Sequence, residues 1–427
     1  MSYIINVHGR EMLDSRGFPT VEAEVTLDSG IIGKASVPSG ASTGTYEAHE
    51  LRDKDNGRYF GKGVLKAVRN INEVIAPALK GMDPLEQDQI DNILIELDGT
   101  MHKKALGANA ILGVSLAAAR TAAHSKNIPL WRYLGGLTAN LLPTPLMNVI
   151  NGGTHANNNL NIQEFLIIPH GASSFTEALR MGAETYHALG RILSKAGKST
   201  GTGDEGGFAS DFRDQEEVLD FILKAIRSAG YQPGKEISIG FDVAANQFYS
   251  KGTYQFFGSD YKYTAGELID IYELMCEKYP IISIEDGLAE DDWQGWTDMT
   301  KRLSDKIQLI GDDLFVTHTD RLRMGIDRGA ANAVLVKPNQ IGTLTETLKL
   351  VDMARRGGYR TIISHRSGET ADSFIADLAV ATGAGQIKAG APRGIERLRK
   401  YNRLLKIEEL LQGRSEFAGI PWAKCGK

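Results

Sequence analysis

Three acidic residues share one local setting. Asp242, Glu285 and Asp312 each follow a short apolar run, in Gly240-Phe241-Asp242, Ser283-Ile284-Glu285 and Ile310-Gly311-Asp312. Carboxylates gathered together repel, and a hard divalent cation with oxygen ligands is the usual remedy, so the recurrence points to a magnesium site. Singly, each acid would as readily cap a helix or form its own ion pair. The nine histidines show no His-Glu-x-x-His pairing, which argues against a zinc-type centre. Lys337 and Lys388 also end apolar runs. Burial, a nearby cation and a second lysine would lower a lysine pKa toward the range of a general base, which makes Lys337 a candidate for proton abstraction. The plain alternative for either lysine is a structural ion pair with one of the acids. Glu164, in Gln163-Glu164-Phe165, and Glu205, in Gly203-Asp204-Glu205-Gly206-Gly207, could form a pair that shares a proton and leaves one member as a general acid. Without other context both would be ordinary loop acids. His365-Arg366-Ser367-Gly368 offers a fork of donors for a phosphate or carboxylate. Ser39 to Gly44 is small and glycine-rich and suits a closing lid or, equally, a plain turn.

Elements must bring these residues together. The apolar runs Ile237–Phe241, Ile281–Ile284, Ile307–Gly311, Ala333–Val336, Thr361–Ser364 and Gln386–Ile387 end at Asp242, Glu285, Asp312, Lys337, His365 and Lys388. All intervals but the first suit one strand plus one helix. Parallel strands buried on both faces read as continuous apolar runs, and a barrel of them gathers its strand ends at one mouth. The first 135 or so residues read differently. Thr20–Asp28 alternates apolar and polar positions as a half-solvated strand does, and joins Tyr3–His8 and Ile31–Val37 in a small antiparallel sheet. Helical patterns follow at Val64–Ala78, Leu85–Leu97 and Ala108–Lys126. Leu142-Pro143-Thr144-Pro145 marks the junction, giving an α+β unit over 1–136 and a barrel over 137–427.

Composition narrows the class. The chain has 427 residues, 42% apolar and 24% charged, with net charge −5 and both signs interspersed. Nucleic acid is therefore not expected as a direct ligand. The two cysteines, Cys276 and Cys425, suit a reducing compartment, and neither a signal-peptide core nor a membrane span is apparent. Gly201 to Gly206 imitates a dinucleotide loop, but no strand pattern leads into it and its two acids would repel a pyrophosphate. Gly197-Lys198-Ser199 fails as a phosphate loop because Ile192 stands where the first glycine is required.

From end to end the chain resembles the enolase family. The resemblance is carried by Asp14-Ser15-Arg16-Gly17, Ser36 to Gly44, Gly107 to Ser115, Asn151-Gly152-Gly153, Gln163-Glu164-Phe165, Gly203 to Gly207, Ser283-Ile284-Glu285-Asp286, Lys337 to Thr343 and Ser364 to Thr370; Gly287 after Glu285-Asp286 looks bacterial. It implies an α/β fold with an N-terminal α+β domain and a (β/α)8-like barrel that opens with two strands and two helices. It also implies reversible dehydration of 2-phosphoglycerate to phosphoenolpyruvate with two Mg2+ ions. Asp242, Glu285 and Asp312 would hold the first ion and Ser42 would help hold the second. Lys337 would be the base at C2 and Glu205 the acid at the C3 hydroxyl, assisted by Glu164. His155, Gln163, His365, Arg366, Ser367 and Lys388 would contact substrate. A cytoplasmic homodimer or octamer of dimers is implied, with no membrane insertion. A cell-surface role, where Lys427 would attract lysine-binding modules, or association with an RNA-degrading assembly would be secondary. Another acid-sugar dehydratase of the superfamily is the enzymatic rival, and His365-Arg366-Ser367 argues against it. Thr154, Asn157, Ala389 and the stretch Gly394 to Arg399 depart from the family pattern, which bears on substrate affinity or subunit contacts.

Overall fold

The computed structural model describes residues 2–40 and 44–420. Near the N-terminus, β1 (Ile4–Leu13), β2 (Pro19–Leu27) and β3 (Ile32–Ser36) form an antiparallel sheet in the order β1-β2-β3. Alternation buries Val21, Ala23, Val25 and Leu27 on one face, as the sequence predicts. That face packs on the helix Ala108–Ser125, which is apolar nearly all round because its other side is covered as well. Their approach is close: a Cβ on Gly33 would stand 2.8 Å from the carbonyl oxygen of Ala117. The helix Gln87–Asp98 agrees with the sequence pattern, and the pattern over Val64–Ala78 resolves into Leu65–Asn70, a π-turn Ile71–Ile75 and Ala76–Leu79.

Eight strands close the barrel: β4 (Thr144–Asn151), β5 (Glu164–Ile168), β6 (Ser238–Asp242), β7 (Ile281–Glu285), β8 (Gln308–Gly311), β9 (Ala333–Val336), β10 (Arg360–Ser364) and β11 (Gln386–Lys388). β5 runs antiparallel to both neighbours, and β11 closes on β4 in parallel. Two helices, Phe175–Lys195 and Gln215–Ser228, separate β5 from β6, which accounts for the irregular opening. Inside, Leu146, Leu166, Ile168, Ile310, Ala333, Leu335 and Ile362 form a separate apolar core. Strand side chains alternate, so two residues nearer the mouth than each inward apolar position, upstream in the antiparallel β5 and downstream elsewhere, the next side chain also points inward. That rule carries Leu166 to Glu164, Ile310 to Asp312 and Leu335 to Lys337. The polar mouth is thus the top layer of the same column of side chains that fills the barrel.

The sheet-bearing unit is tied to the rim by several bonds. The Arg120 guanidinium grips both carboxylate oxygens of Asp372 at 2.6 Å. Lys103 pairs with Glu346 at 3.0 Å, and Ser39 and Gly368 exchange backbone hydrogen bonds of 2.7 and 2.8 Å. Ser39, just past β3, is thereby held against the barrel rim. Among the described residues, no helix is long and apolar enough to cross a membrane.

Candidate active site

Register sets the layout. Glu164 pairs with Asp242, and Asp242 with Glu285, so three carboxylates sit side by side at one level of the rim. Lys388 pairs with Ser364 on the far arc. Its ammonium crosses the mouth to Asp242 Oδ2 at 2.8 Å, both Glu285 oxygens at 2.9 Å and Glu164 Oε1 at 3.4 Å. Burial opposes the charge on Lys388, but Asp242, Glu164 and Glu285 outweigh it and hold the ammonium well above the ordinary lysine range. Burial, with Asp242 adding repulsion, pushes Glu285 well above the usual carboxylate range.

Asp312 takes a different partner. It bonds the Lys337 ammonium through Oδ2 and accepts from Gln340 Nε2 at 2.9 Å through Oδ1. Burial raises the Asp312 carboxyl, but Lys337 and Arg366 more than offset this and hold it below its ordinary range. The lowered pKa expected for Lys337 is not found. Burial does push it down, but Asp312 prevails and raises it above the usual lysine value. The backbone is held with equal care. Thr317, at φ 54°, accepts from the Lys337 N–H at 2.9 Å and donates to Gln340 Oε1 at 2.6 Å. Asp286, at φ 44°, accepts the N–H groups of Asp312 and Asp313 at 2.9 and 2.8 Å. Such left-handed positions persist where the surroundings over-determine them.

A second cluster comes from loops. His155 Nδ1 lies 3.6 Å from Glu164 Oε1 and 3.9 Å from Glu205 Oε1, while its Nε2 is 3.3 Å from Ser367 Oγ. His365 Nε2 stands 3.1 Å from Glu205 Oε2. Burial and the neighbouring Glu205 push Glu164 well above the carboxylate range. Burial acts the same way on Glu205, but His365, His155 and Arg397 outweigh it, and Glu205 is held well below. The surroundings thus favour the neutral form at Glu164 and the charged form at Glu205. Gln163 donates weakly to Asp242 at 3.4 Å and accepts from Gln247 and Thr154.

His155, Gln163, Glu164, Glu205, Asp242, Asp312, Lys337, His365, Arg366, Ser367 and Lys388 all line one cavity, and Glu285, beside Asp242, is joined to it through Lys388. Ser42 lies outside the described residues. Asp242, Glu285 and Asp312 reach the same mouth, yet their oxygens do not form one tight triad, because the lysines draw Asp242 and Glu285 one way and Asp312 the other. Groups whose ligand atoms all lie within 4.8 Å of one another are His155–Glu164–Glu205 and Asp286–Asp312–Asp313. A hard cation fits this donor set. The Lys388 ammonium already occupies a cradle of carboxylate oxygens and stands in for a cation there.

Sequence reasoning missed Glu47, Gln340, Asp286 and Arg397. Glu47 enters from the loop over the mouth and accepts from Arg366 at 3.0 Å and Gln340 at 3.2 Å. Its signal was an acid three residues beyond the glycine-rich stretch. Asp286 and Gln340 sit inside motifs already singled out, next to Glu285 and Lys337. Arg397 had only its place in a departing segment to mark it.

Comparison with family models gives two matches, the enolase N-terminal domain over residues 4–134 and the enolase C-terminal TIM barrel domain over residues 139–425.

Proposed function

The chain belongs to the enolase family of lyases, and from that premise we propose that it is a phosphopyruvate hydratase of bacterial type, converting 2-phosphoglycerate to phosphoenolpyruvate in glycolysis and its reversal. One observation carries the reading: Lys337, Lys388, Asp242, Asp312 and the pair Glu164–Glu205 meet in a single mouth beside His365-Arg366-Ser367, with Glu285 joined to it through Lys388. Asp242, Glu285 and Asp312 would hold one Mg2+, and Ser42 would help hold a second. Bound there, the ions would make tolerable the second negative charge that builds on the substrate carboxylate.

Every other task falls to side chains. Arg366 and Ser367 bind the phosphate, with Arg366 presenting its planar fork. Lys337 removes the C2 proton, which it can do only when Asp312 is otherwise engaged, since that carboxylate now holds it charged. Glu205, which His365, His155 and Arg397 hold charged in the resting site, takes a proton from the neutral-favoured Glu164 and delivers it to the departing C3 hydroxyl. The C3–O bond breaks, water leaves and the C2–C3 double bond forms. His155, Gln163 and Lys388 orient the substrate. The division of labour runs between a covering unit over 1–136 and a catalytic barrel over 137–427. We further assign a cytoplasmic homo-oligomer, a dimer or an octamer of dimers. Purified protein with Mg2+ should convert 2-phosphoglycerate to an ultraviolet-absorbing enol phosphate, and a chelator should stop it. Turnover of an unphosphorylated acid sugar in place of 2-phosphoglycerate would transfer the chain to another activity of the superfamily.

A further inference from the structure

Arg397 lies in the first turn of the last long helix, Ile395–Leu411, and is fully buried. A buried guanidinium is costly unless its donors are used. Here Nη1 points to His365 Nδ1 at 2.5 Å and donates to the Arg366 carbonyl at 2.6 Å. Nη2 donates to the carbonyls of Ser367 at 2.6 Å and Asp204 at 3.1 Å. One side chain thus pins the His365–Ser367 segment to the loop that carries Glu205.

The contact with His365 has a chemical consequence. Guanidinium has five donors, no acceptor, and does not lose its proton in proteins. The Nδ1 atom it touches must offer a lone pair, so the ring proton belongs on Nε2. A flipped ring would set a carbon against the Arg397 donor. The space is also tight, for a Cβ on Gly390 would come 3.0 Å from His365 Cε1 and 3.0 Å from Arg397 Cδ. A doubly protonated ring would set a second N–H against the guanidinium. Nε2 itself faces Glu205 Oε2, and among the described residues neither atom has a well-directed hydrogen-bond partner. The site therefore contains a buried donor and a buried acceptor turned toward the cavity.

Resting on the function proposed above, we infer that Arg397 is a positioning residue that holds His365 as a neutral Nε2–H donor toward Glu205 and the substrate. Burial first, and then the Arg397 charge, works against protonation of His365, while Glu205 favours it; the balance lowers its pKa to about 4. His365 so held can donate to an oxygen without supplying a competing proton to the acid pair.

The tautomer can be read by 15N NMR of the full-length, histidine-labelled protein, with His365→Gln identifying the resonances. At neutral pH the wild type should show an unprotonated Nδ1 and a protonated Nε2. Arg397→Lys, which can still only donate, should keep that pattern. Arg397→Met should lose it, and in the 2-phosphoglycerate assay its kcat should fall about tenfold to a hundredfold while KM moves far less. A protonated Nδ1 in the wild type, or an unaltered pattern in a folded Arg397→Met protein, would overturn the inference. If Arg397→Met does not fold, the wild-type and Arg397→Lys spectra decide alone. The expected spectra without 2-phosphoglycerate turnover would leave the positioning role standing and remove the proposed reaction.

Discussion

Two walls of the same mouth are built to opposite standards. The wall at the ends of β7, β8 and β9 is saturated: Lys337 has Asp312, Asp312 also has Gln340, Thr317 has both Gln340 and the Lys337 backbone, and Asp286 takes two backbone N–H groups. On the opposite wall, where Glu164 of β5 and His365 after β10 meet the loops that carry His155 and Glu205, polar atoms lie buried with no hydrogen-bond partner among the described residues. They include His155 Nδ1, Glu164 Oε2, Glu205 Oε2 and His365 Nε2. Native interiors rarely leave such atoms unmatched, because each costs about 1–3 kcal/mol. The contrast teaches where each part of the job is done. One wall fixes charged groups rigidly against one another, and the other keeps donors and acceptors uncommitted for a ligand.

Lys337→Ala should test the saturated wall most severely. Turnover is expected to fall on the order of 10³- to 10⁴-fold, with C2 proton exchange lost. Stability should also fall, since Asp312 is left buried without its cation, and added Mg2+ should restore part of it. Unchanged exchange would take Lys337 out of its role, and an unchanged unfolding curve would undo the contrast between the walls.

A paired measurement sharpens it. Glu205→Gln, on the open wall, should cost about 10²-fold or more in kcat while leaving the unfolding midpoint unmoved or higher. Asp286→Ala, on the saturated wall, should destabilise the chelator-treated protein by about 2–3 kcal/mol, because two backbone donors lose their acceptor. Equal stability losses in the two variants would erase the distinction.

The smallest effect should come from the barrel floor. His170 Nε2 meets Ser238 Oγ at 2.9 Å, and burial lowers its pKa to about 4. The unfolded chain, with an ordinary value near 6.5, binds a proton that the folded one refuses. Stability from this group is therefore complete above about pH 6.5 and is lost as pH falls toward 4, amounting to roughly 2 kcal/mol. His170→Asn should flatten the pH–stability curve over that window without altering kcat at neutral pH. A slope that survives the substitution would assign it elsewhere.

Much of this was legible in the chain. Six strand ends were read to within a residue because parallel strands covered on both sides are written as unbroken apolar runs. β4 and β5 came only through the family resemblance, since prolines and asparagines break the first and loops flank the second. What pattern could not supply was pairing. Lys388 reaches its acids across the mouth from the last barrel strand, whereas Lys337 turns to Asp312 on the neighbouring strand, and that second choice reversed the expected shift of Lys337. Glu47 and Arg397 act on the site from outside the strands, so no periodicity points at them.

The inverted strand β5 also bears on how the chain assembles. β4 and β5 form a hairpin whose paired ends, Asn151 and Glu164, are close neighbours in sequence, whereas the seam between β11 and β4 joins Gln386 to Thr144 across most of the barrel. Closing a short loop sacrifices far less chain freedom than closing a long one. The hairpin is thus the natural seed on which later strands accumulate, and the seam, which completes the ring, is the step that must wait until nearly the whole polypeptide is available.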